Sequence, residues 1–349
     1  MTKKERVLAA IHHQETDRVP KGELHIEGDL ANRLLNSQYP LTYECFEREK
    51  RVRELLCMDL VNVGEWPQWE MPSPDGAHVW IQTVYGQIYE KGSSQRLIRP
   101  AVEDIEEAWR YEKPDIRKVS GEIVRRFAQE SDLFVFAQIG GPVTQLDEMF
   151  SMEEFMVYSL TNTREMHEIA EKVMEYEVEK AKLFLDNGAD GIVIGDDIAF
   201  NSGIFLPPHI MEANVYPFWR AAVRAIKDYR DVPVFLHSDG NVNAALDEVV
   251  RAGFDGIQSL QPSAGMDIAK VKEQYGEKLC LWGNIDLDYI MCFGSVAEVK
   301  RAVRDTILTA GKGGGYILST CNTMISAIPD ENIFAMMEAV QEMERKRDL

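Results

Sequence analysis

The stretch VFLHSDGNV, residues 234–242, decides the fold that we predict for this chain. Three apolar residues run directly into His-Ser-Asp-Gly, which is typical of a buried strand that ends at an active site. His237 and Asp239 are two residues apart, so their side chains point the same way on an extended backbone. An imidazole and a carboxylate that enter one cavity can bind a metal ion or transfer a proton. The alternative is a strand-end histidine that is only hydrogen-bonded to a neighbouring carboxylate.

Eight short apolar segments of this kind alternate with helical patterns along the chain. They predict an α/β fold, and a (β/α)8 TIM barrel fits their number best. An open doubly wound sheet is the alternative, but no GxGxxG motif or P-loop follows any strand, which counts against it. The predicted strands cover residues 22–27, 59–66, 133–143, 188–198, 232–240, 254–262, 278–286 and 314–322.

The segment 67–97 differs from this pattern, because it contains several prolines and then a run of strand-forming residues that turns near Gly86. We predict that this segment forms a β-hairpin insertion in a loop. Residues 1–349 are therefore expected to form a single domain that carries this insertion.

The composition, with 45% hydrophobic and 28% charged residues, is that of an ordinary globular protein. A formal net charge of -20 repels phosphate backbones and anionic lipids, which argues against nucleic-acid and membrane partners. The sequence contains no apolar run of about 18 residues, and charged residues interrupt the N-terminal segment where a signal peptide needs an apolar core. Five cysteines, an odd number without framework spacing, fit a reducing compartment, so we expect a cytoplasmic protein.

Polar side chains follow most of the predicted strands, and in a barrel the carboxyl ends of the strands meet on one face. A ring of this kind indicates a binding site, although some members could be helix caps or buried hydrogen-bond partners. We take His237, Asp197 and Asp239 as the candidate catalytic residues. The candidate substrate-binding residues in this ring are His25, Glu27, Trp66, Gln138, Asn284 and Asn322.

The residue types at the strand ends point to metal chemistry. The chain has no GxSxG, CxxC or HExxH motif, but His237 closes the fifth predicted strand and Cys321 the eighth. Imidazole, thiolate and carboxylate are the ligand types of zinc, and a catalytic zinc keeps one position open. Three alternatives stay open: Cys321 as a small buried apolar residue, Asp196 and Asp197 as capping or salt-bridge residues, and a metal-free acid/base pair of Asp197 and His237.

Recognisable segments occur along nearly the whole chain: ERVLAAIHHQETDRVP, GADGIVIGDD, FLHSDGNV, FDGIQSLQP, LWGNID, GGGYILSTCN and IPDENI. Together and in this order they resemble the uroporphyrinogen decarboxylase superfamily. The resemblance implies a (β/α)8 barrel, in agreement with the number of predicted strands. It also implies one of two activities, because the superfamily has two well-known branches.

True uroporphyrinogen decarboxylases are cofactor-free and carry an arginine-rich RQAGR motif soon after the first strand. The matching region here reads KGELHIEGDLANRLL and lacks that motif. A strongly acidic protein would also repel a tetra-acidic porphyrinogen. The resemblance therefore favours the second branch, the corrinoid-dependent methyltransferases, which move a methyl group between a substrate or thiol and the cobalt of a separate corrinoid protein.

Many members of that branch hold zinc through a His-x-Cys motif after strand five and a cysteine after strand eight. His237 and Cys321 match two of these ligands, and Asp239 replaces the middle cysteine. Members that demethylate aryl methyl ethers use two acidic residues and a histidine instead, and Asp197, Glu212 and His237 occur in that order here. The resemblance thus implies zinc ligands among His237, Asp239, Cys321 and Glu212. Oxygen-rich ligands favour a methyl donor with an oxygen leaving group.

We therefore expect a zinc-dependent methyltransferase that acts on a small methylated donor, for example a methoxyarene. Zinc polarises the leaving oxygen while cobalt(I) attacks the methyl carbon. The corrinoid-binding signature DxHxxG is absent, so the corrinoid is expected on a partner protein. Aromatic walls for the donor are expected from Trp66, Trp69, Trp80 and Tyr85, with packing inside the insertion as the alternative.

Three other functions remain open on the sequence. The first is a thiol methyltransferase that runs the same chemistry in the opposite direction. The second is a metal-free decarboxylase, in which Asp29 or Glu27 would bind pyrrole nitrogens. The third is a non-catalytic barrel that binds a small molecule.

Overall fold

The computed structural model describes residues 1–42, 45–76, 78–92 and 96–347. Strands and helices alternate over most of the chain, and short 3-10 or π turns lie between some of them. The strands are β1 Leu60–Val63, β2 Gln68–Pro72, β3 Val79–Thr83, β4 Ile88–Glu90, β5 Leu97–Arg99, β6 Phe134–Gly140, β7 Gly191–Gly195, β8 Ala199–Phe200, β9 Gly203–Ile204, β10 Val234–Ser238, β11 Gly256–Ser259, β12 Cys280–Ile285 and β13 Tyr316–Thr320. The helices are α1 Lys3–Ile11, α2 Gly28–Leu35, α3 Phe46–Leu55, α4 Glu122–Glu130, α5 Pro142–Met149, α6 Met152–Thr161, α7 Thr163–Asp186, α8 Pro208–Asn214, α9 Tyr216–Tyr229, α10 Leu246–Ala252, α11 Ile268–Tyr275, α12 Val296–Ala310 and α13 Asp330–Arg347.

A curled parallel sheet of seven strands forms the centre of the fold, in the order β1-β6-β7-β10-β11-β12-β13. Strands that are neighbours in this sheet also follow one another along the chain. Each pair is joined by a crossover connection, because parallel strands cannot be joined by a tight turn. Most residues of these strands are buried, because helices cover one face and side chains fill the space inside the curl. The predicted α/β class and parallel sheet are confirmed.

The segment predicted as the first strand, 22–27, is not a regular strand. It makes isolated parallel bridges, Lys21 with Leu318 and Ile26 with Met324. On its other side, the backbone N–H of Asp59, next to β1, donates to the carbonyl of Lys21 at 2.7 Å. The segment therefore bonds to both sides of the opening between β13 and β1, although it does not add a regular eighth strand.

The predicted insertion is a larger unit than a hairpin. Strands β2, β3, β4 and β5 form a four-stranded antiparallel sheet. The expected turn lies at Gly86, whose φ of 107° suits glycine and whose N–H donates to Thr83 O. The sequence did not indicate the outer strands, because β2 ends at Pro72 and β5 has only three residues.

Residues 208–229, which have a continuous helical pattern in the sequence, form two helices in the structure. The break lies at Val215, whose φ of -124° and ψ of -61° are not helical. Pro217 follows at the start of α9, where its missing N–H costs no helical hydrogen bond. The break lets α8 and α9 take different directions after the carboxyl end of β7.

The N-terminal helix is anchored by a buried carboxylate. Thr2 and Glu5 form a capping box that begins α1. Arg6 then reaches from α1 to Asp59, which is fully buried and also accepts hydrogen bonds from Arg18. These charge-assisted bonds fix α1 against the start of β1. None of the helices among the described residues is long and apolar enough to cross a bilayer.

Phe136 lies at the centre of the side chains that fill the curl of the sheet. Its ring centroid is 5.1 Å from that of Phe235 and 5.3 Å from that of Trp282. We predict that Phe136→Ala lowers the free energy of unfolding by about 3–5 kcal/mol, because the cavity cannot close inside a rigid sheet. The control is Phe293→Ala, since Phe293 is 84% exposed and its truncation should change stability by less than about 0.5 kcal/mol. Urea unfolding checks both, and equal values for the two variants would contradict this description of the core.

Candidate metal centre

Three potential ligands meet at the carboxyl ends of β7 and β10. His237 lies in β10, Asp239 follows that strand directly, and Asp197 follows β7 by two residues. One ligand atom from each lies within 4.8 Å of the others, and His237 Nε2 is 3.8 Å from Asp197 Oδ1. Within the described part of the chain, this is the one such group of three or more His, Cys, Asp or Glu residues. The structure thus brings together the three residues predicted to be catalytic.

The two strands beside β10 determine the surroundings of His237. The register pairs His237 with Gly195 on β7 and with Gln258 on β11. A Cβ at position 195 would lie 2.6 Å from Gln138 Nε2, so glycine at this position leaves room for the Gln138 side chain. On the other side, His237 Nδ1 is hydrogen-bonded to Gln258 Oε1. An amide oxygen only accepts, so Nδ1 carries the proton and the lone pair of Nε2 faces the two aspartates.

The Asp239 side chain accepts hydrogen bonds from two other side chains, and its backbone is hydrogen-bonded to Asp197. Its Oδ1 accepts a hydrogen bond from Ser259 Oγ at 2.8 Å, and its Oδ2 accepts one from Asn322 Nδ2. Its backbone N–H donates to Asp197 Oδ1 at 2.8 Å. Burial raises the pKa of Asp239, and the Asp197 carboxylate acts in the same direction, whereas His237 and the two hydrogen bonds lower it. Two carboxylates this close are stabilised when a cation lies between them.

Asp196, next to Asp197 in the chain, has a structural role. It is fully buried, and its carboxylate accepts hydrogen bonds from Val143 N, Thr144 N and Trp219 Nε1. Burial raises the pKa of Asp196 to about 7. The two amides belong to the first turn of α5, so Asp196 caps that helix from another part of the chain. The capping alternative is therefore the right interpretation of Asp196.

Two predicted metal ligands lie outside the group. Cys321 is 2% exposed and packs in the hydrophobic core, where burial raises the pKa of its thiol to about 12. Glu212 lies on the exposed side of α8 and forms an ion pair with Arg220 at 3.4 Å. Neither side chain is brought within ligand distance of the three residues. The small buried apolar role is thus the better interpretation of Cys321.

The predicted substrate-binding residues divide into two sets. His25, Trp66 and Gln138 line a cavity of about 960 Å³ between the edge of the sheet and the β2–β5 unit. Burial lowers the pKa of His25 to about 4, so His25 is neutral at pH 7. Its Nε2 is 3.1 Å from Gln138 Oε1.

The second set binds other protein groups. Glu27 accepts hydrogen bonds from the backbone and hydroxyl of Ser326, and Asn284 Nδ2 donates to Leu260 O at 2.9 Å. Asn322 donates to Asp239, which makes it a support of the metal group instead of a direct contact to a substrate. All three residues hold loops at the carboxyl edge of the sheet.

Phe46, Trp66, Tyr85 and Tyr89 supply aromatic walls to the cavity. Two of the four predicted aromatic residues, Trp66 and Tyr85, are among them, whereas Trp69 is 41% exposed. Gln258, Ser259 and Glu148 were not predicted as catalytic, substrate-binding or metal-ligand residues. The positions of Gln258 and Ser259 beside the metal group can be understood from the strand register. No sequence signal indicates that Glu148, near the end of α5, faces the cavity.

The adjacent aspartates should respond differently to truncation. We predict that Asp196→Ala lowers the free energy of unfolding by about 3 kcal/mol, because two amides and an indole N–H lose a buried acceptor. Asp197→Ala should cost less than about 1 kcal/mol, since Asp197 is half-exposed and accepts from a single backbone N–H. Denaturant unfolding of both variants tests this, and a larger loss in Asp197→Ala would reverse the two assignments.

Comparisons with known proteins relate the chain to one protein family. The sequence model of the family "Uroporphyrinogen decarboxylase (URO-D)" matches residues 87–343. "Methylcobamide:CoM methyltransferase MtaA" of Methanosarcina barkeri is 26% identical over 212 residues, which are 60% of this chain and 59% of that protein. "Uroporphyrinogen decarboxylase" of Trichodesmium erythraeum is 26% identical over 239 residues, 66% of this chain and 63% of that protein. The chain thus spans less than two thirds of the length of these relatives.

A solved structure has the same fold over almost the full length. A "methyltransferase from Methanosarcina mazei" superposes with a TM-score of 0.76 at 21% identity and covers 98% of this chain and 99% of its own. The B12-independent methionine synthase from Shewanella sp. W3-18-1 is more distant, with a TM-score of 0.52 at 14% identity, covering 95% of this chain and 96% of its own. The family model matches well over half of the residues of the chain, so the chain belongs to the uroporphyrinogen decarboxylase (URO-D) family.

Proposed function

We propose that this protein is a zinc-dependent methyltransferase that moves a methyl group from a small methylated donor, for example a methoxyarene, to the cobalt of a separate corrinoid protein. The observation that carries the proposal is the group of Asp197, His237 and Asp239, with the lone pair of the histidine facing two carboxylates. The relatives called methylcobamide:CoM methyltransferase support corrinoid-dependent methyl transfer.

The three residues fit zinc in number, type and spacing. A catalytic zinc commonly takes three nitrogen or oxygen ligands from the protein and leaves a fourth position open. Ligand atoms about 2 Å from one tetrahedral ion lie about 3.3 Å from each other. The separation of 3.8 Å between His237 Nε2 and Asp197 Oδ1 is close to that value. Small side-chain movements are sufficient to complete the site.

The surrounding residues orient the ligands. Gln258 holds the proton of His237 on Nδ1, so Nε2 stays available, and such outer partners also fix the ring plane. Ser259 and Asn322 fix the two oxygens of Asp239. Zinc, when bound, supplies a Lewis acid that polarises the leaving group of the methyl donor. His237, Asp197 and Asp239 are the residues that we propose as its ligands.

The ligand types favour an oxygen leaving group. Thiolates are soft ligands, and the one nearby candidate, Cys321, has a pKa raised to about 12 by burial and keeps its proton at pH 7. Nitrogen and carboxylate ligands without sulfur suit a harder partner such as an ether or alkoxide oxygen. The direction of transfer in our proposal, from donor to corrinoid, rests on this choice.

Two other activities have support from the relatives. The methylcobamide:CoM methyltransferases favour methyl transfer to a thiol, the reverse direction, with the same metal group. Relatives called uroporphyrinogen decarboxylase favour a metal-free decarboxylation. Glu27, a candidate for pyrrole binding in that reaction, is already bonded to Ser326, which counts against it.

We further propose that the curled sheet is a (β/α)8 barrel in which the segment 20–27 occupies the eighth position, and that residues 1–349 act as one domain. The corrinoid partner then docks at the carboxyl edge of the sheet, because the candidate metal group lies at the carboxyl ends of β7 and β10. The cysteines are unpaired, which is why we place the reaction in the cytoplasm.

Zinc content tests the metal assignment. We predict about one zinc per chain in the protein purified from zinc-supplemented medium and its loss in His237→Ala, because the imidazole is the sole nitrogen ligand of the group. His209→Ala is the matched control, since His209 is exposed on α8 and should leave the metal in place. Elemental analysis measures both. Retained zinc together with retained methyl transfer in His237→Ala would contradict the proposal.

Gln258 should act as a positioning residue. We expect Gln258→Leu to weaken zinc affinity about 10–100-fold, because the ring of His237 loses its orientation and its preferred tautomer. Gln258→Glu restores an acceptor for Nδ1 and should recover most of the affinity. Competition with a chromogenic chelator measures these constants. Equal affinity in the Leu and Glu variants would show that Gln258 only fills space.

A further inference from the structure

The cavity beside the metal group has room for a substituted aromatic ring. Its volume of about 960 Å³ lies at the upper end of the usual range for small-molecule sites. It extends from His25 and Gln138 at the edge of the sheet to Tyr85 and Tyr89 in the β2–β5 unit. Phe46 and Trp66 add two more aromatic walls. Aromatic walls of this kind bind flat rings and also attract organic cations.

Glu148 gives this cavity an uncompensated negative charge. The residue lies near the end of α5, lines the cavity and is exposed to it. The hydroxyl of Tyr89 donates to the backbone carbonyl of Glu148, not to its carboxylate. Among the described residues, the carboxylate itself has no ion pair and no side-chain hydrogen bond. Burial raises the pKa of Glu148 to about 7, and the charges of Asp147, Glu177 and Asp197 contribute to this rise.

The cations near this site already have partners. Lys180, the one cation that lowers the pKa of Glu148, is bonded to Glu177 at 2.9 Å. Lys118, which lines the cavity, lies 4.2 Å from the ring centroid of Trp69. The guanidinium of Arg126, also a lining residue, pairs with Glu130 at 3.1 Å. A cationic ligand would therefore meet in Glu148 a carboxylate that no cation pairs with, whereas Lys118 is the one lining cation without a carboxylate partner among the described residues.

We propose that the ligand of this cavity is a benzylamine-type compound, an aromatic ring that carries an alkylammonium group, with Glu148 as the residue that selects its positive charge. This proposal rests on the proposed function, since the ligand is then the methyl donor. The aromatic walls hold the ring, and the Glu148 carboxylate pairs with the ammonium group. A donor with a carboxylate in place of the amine is rejected, because its charge would be desolvated next to the Glu148 carboxylate.

Three probes that differ in one group test the charge preference: 4-hydroxy-3-methoxybenzylamine, the matching benzyl alcohol and the matching benzoate. Isothermal titration of the full-length protein at pH 8, where Glu148 is ionised and the amine protonated, should rank them in that order. We expect the amine to bind at least tenfold more tightly than the alcohol, and the benzoate at least tenfold more weakly than the alcohol. Benzoate affinity equal to or above that of the alcohol would overturn the proposal.

Glu148→Gln then assigns the preference to one residue. The variant should bind the amine and the alcohol with equal affinity, and unchanged alcohol binding shows that the cavity is intact. Glu122→Gln is the matched control, because Glu122 also lines the cavity but lies 3.5 Å from the guanidinium of Arg125. It should keep the amine preference. A preference that persists in Glu148→Gln would overturn the role of Glu148.

These titrations need neither zinc turnover nor a corrinoid protein, so they fail independently of the proposed function. If zinc is bound and methyl transfer occurs but the amine has no advantage, the charge selection alone is wrong. If the amine advantage depends on Glu148 but the protein binds no zinc, the charge selection stands and the methyltransferase assignment is wrong.

Discussion

The parallel register of β7, β10 and β11 is the constraint on which the rest of the site depends. It places Gly195 on one side of His237 and Gln258 on the other. A slip of one residue in β10 would turn His237 to the opposite face and bring Leu236 or Ser238 to the site, because side chains alternate along a strand. The buried apolar residues of β10 therefore do two things: they stabilise the sheet, and they fix the direction of the imidazole.

A second support comes from the N-terminus of α5. Asp196 accepts two amide hydrogen bonds from that helix, and Thr144 Oγ1 in the same turn accepts a hydrogen bond from the backbone N–H of Asp197 at 2.7 Å. One carboxylate thus stabilises the fold, and the next one in the chain faces the potential metal. Ligands that stand on strands and a capped helix are held in place before the metal arrives, which reduces the entropy lost on binding.

Much of the fold and part of the site could be predicted from the sequence, and the physical reasons differ. Periodicity indicated seven strands of the sheet, and the spacing of His237 and Asp239 indicated that they share a side. The role of Cys321 could not be predicted from its position, since a cysteine can be either a zinc ligand or a small apolar residue of the hydrophobic core. The role of Glu212 could not be predicted without knowing which face of α8 is exposed. The role of Gln258 could not be predicted without knowing how β10 and β11 pair. The extra strands around Pro72 are short and partly exposed, so their pattern was weak.

The coordination shell of bound zinc tests the central claim most directly. X-ray absorption spectroscopy at the zinc edge distinguishes nitrogen and oxygen ligands, at about 2.0–2.2 Å, from sulfur at about 2.3 Å. The arrangement of Asp197, His237 and Asp239 predicts a shell of nitrogen and oxygen with one imidazole and no sulfur. A zinc–sulfur distance in the spectrum would contradict the account, because it would require Cys321 to leave the core and enter the site.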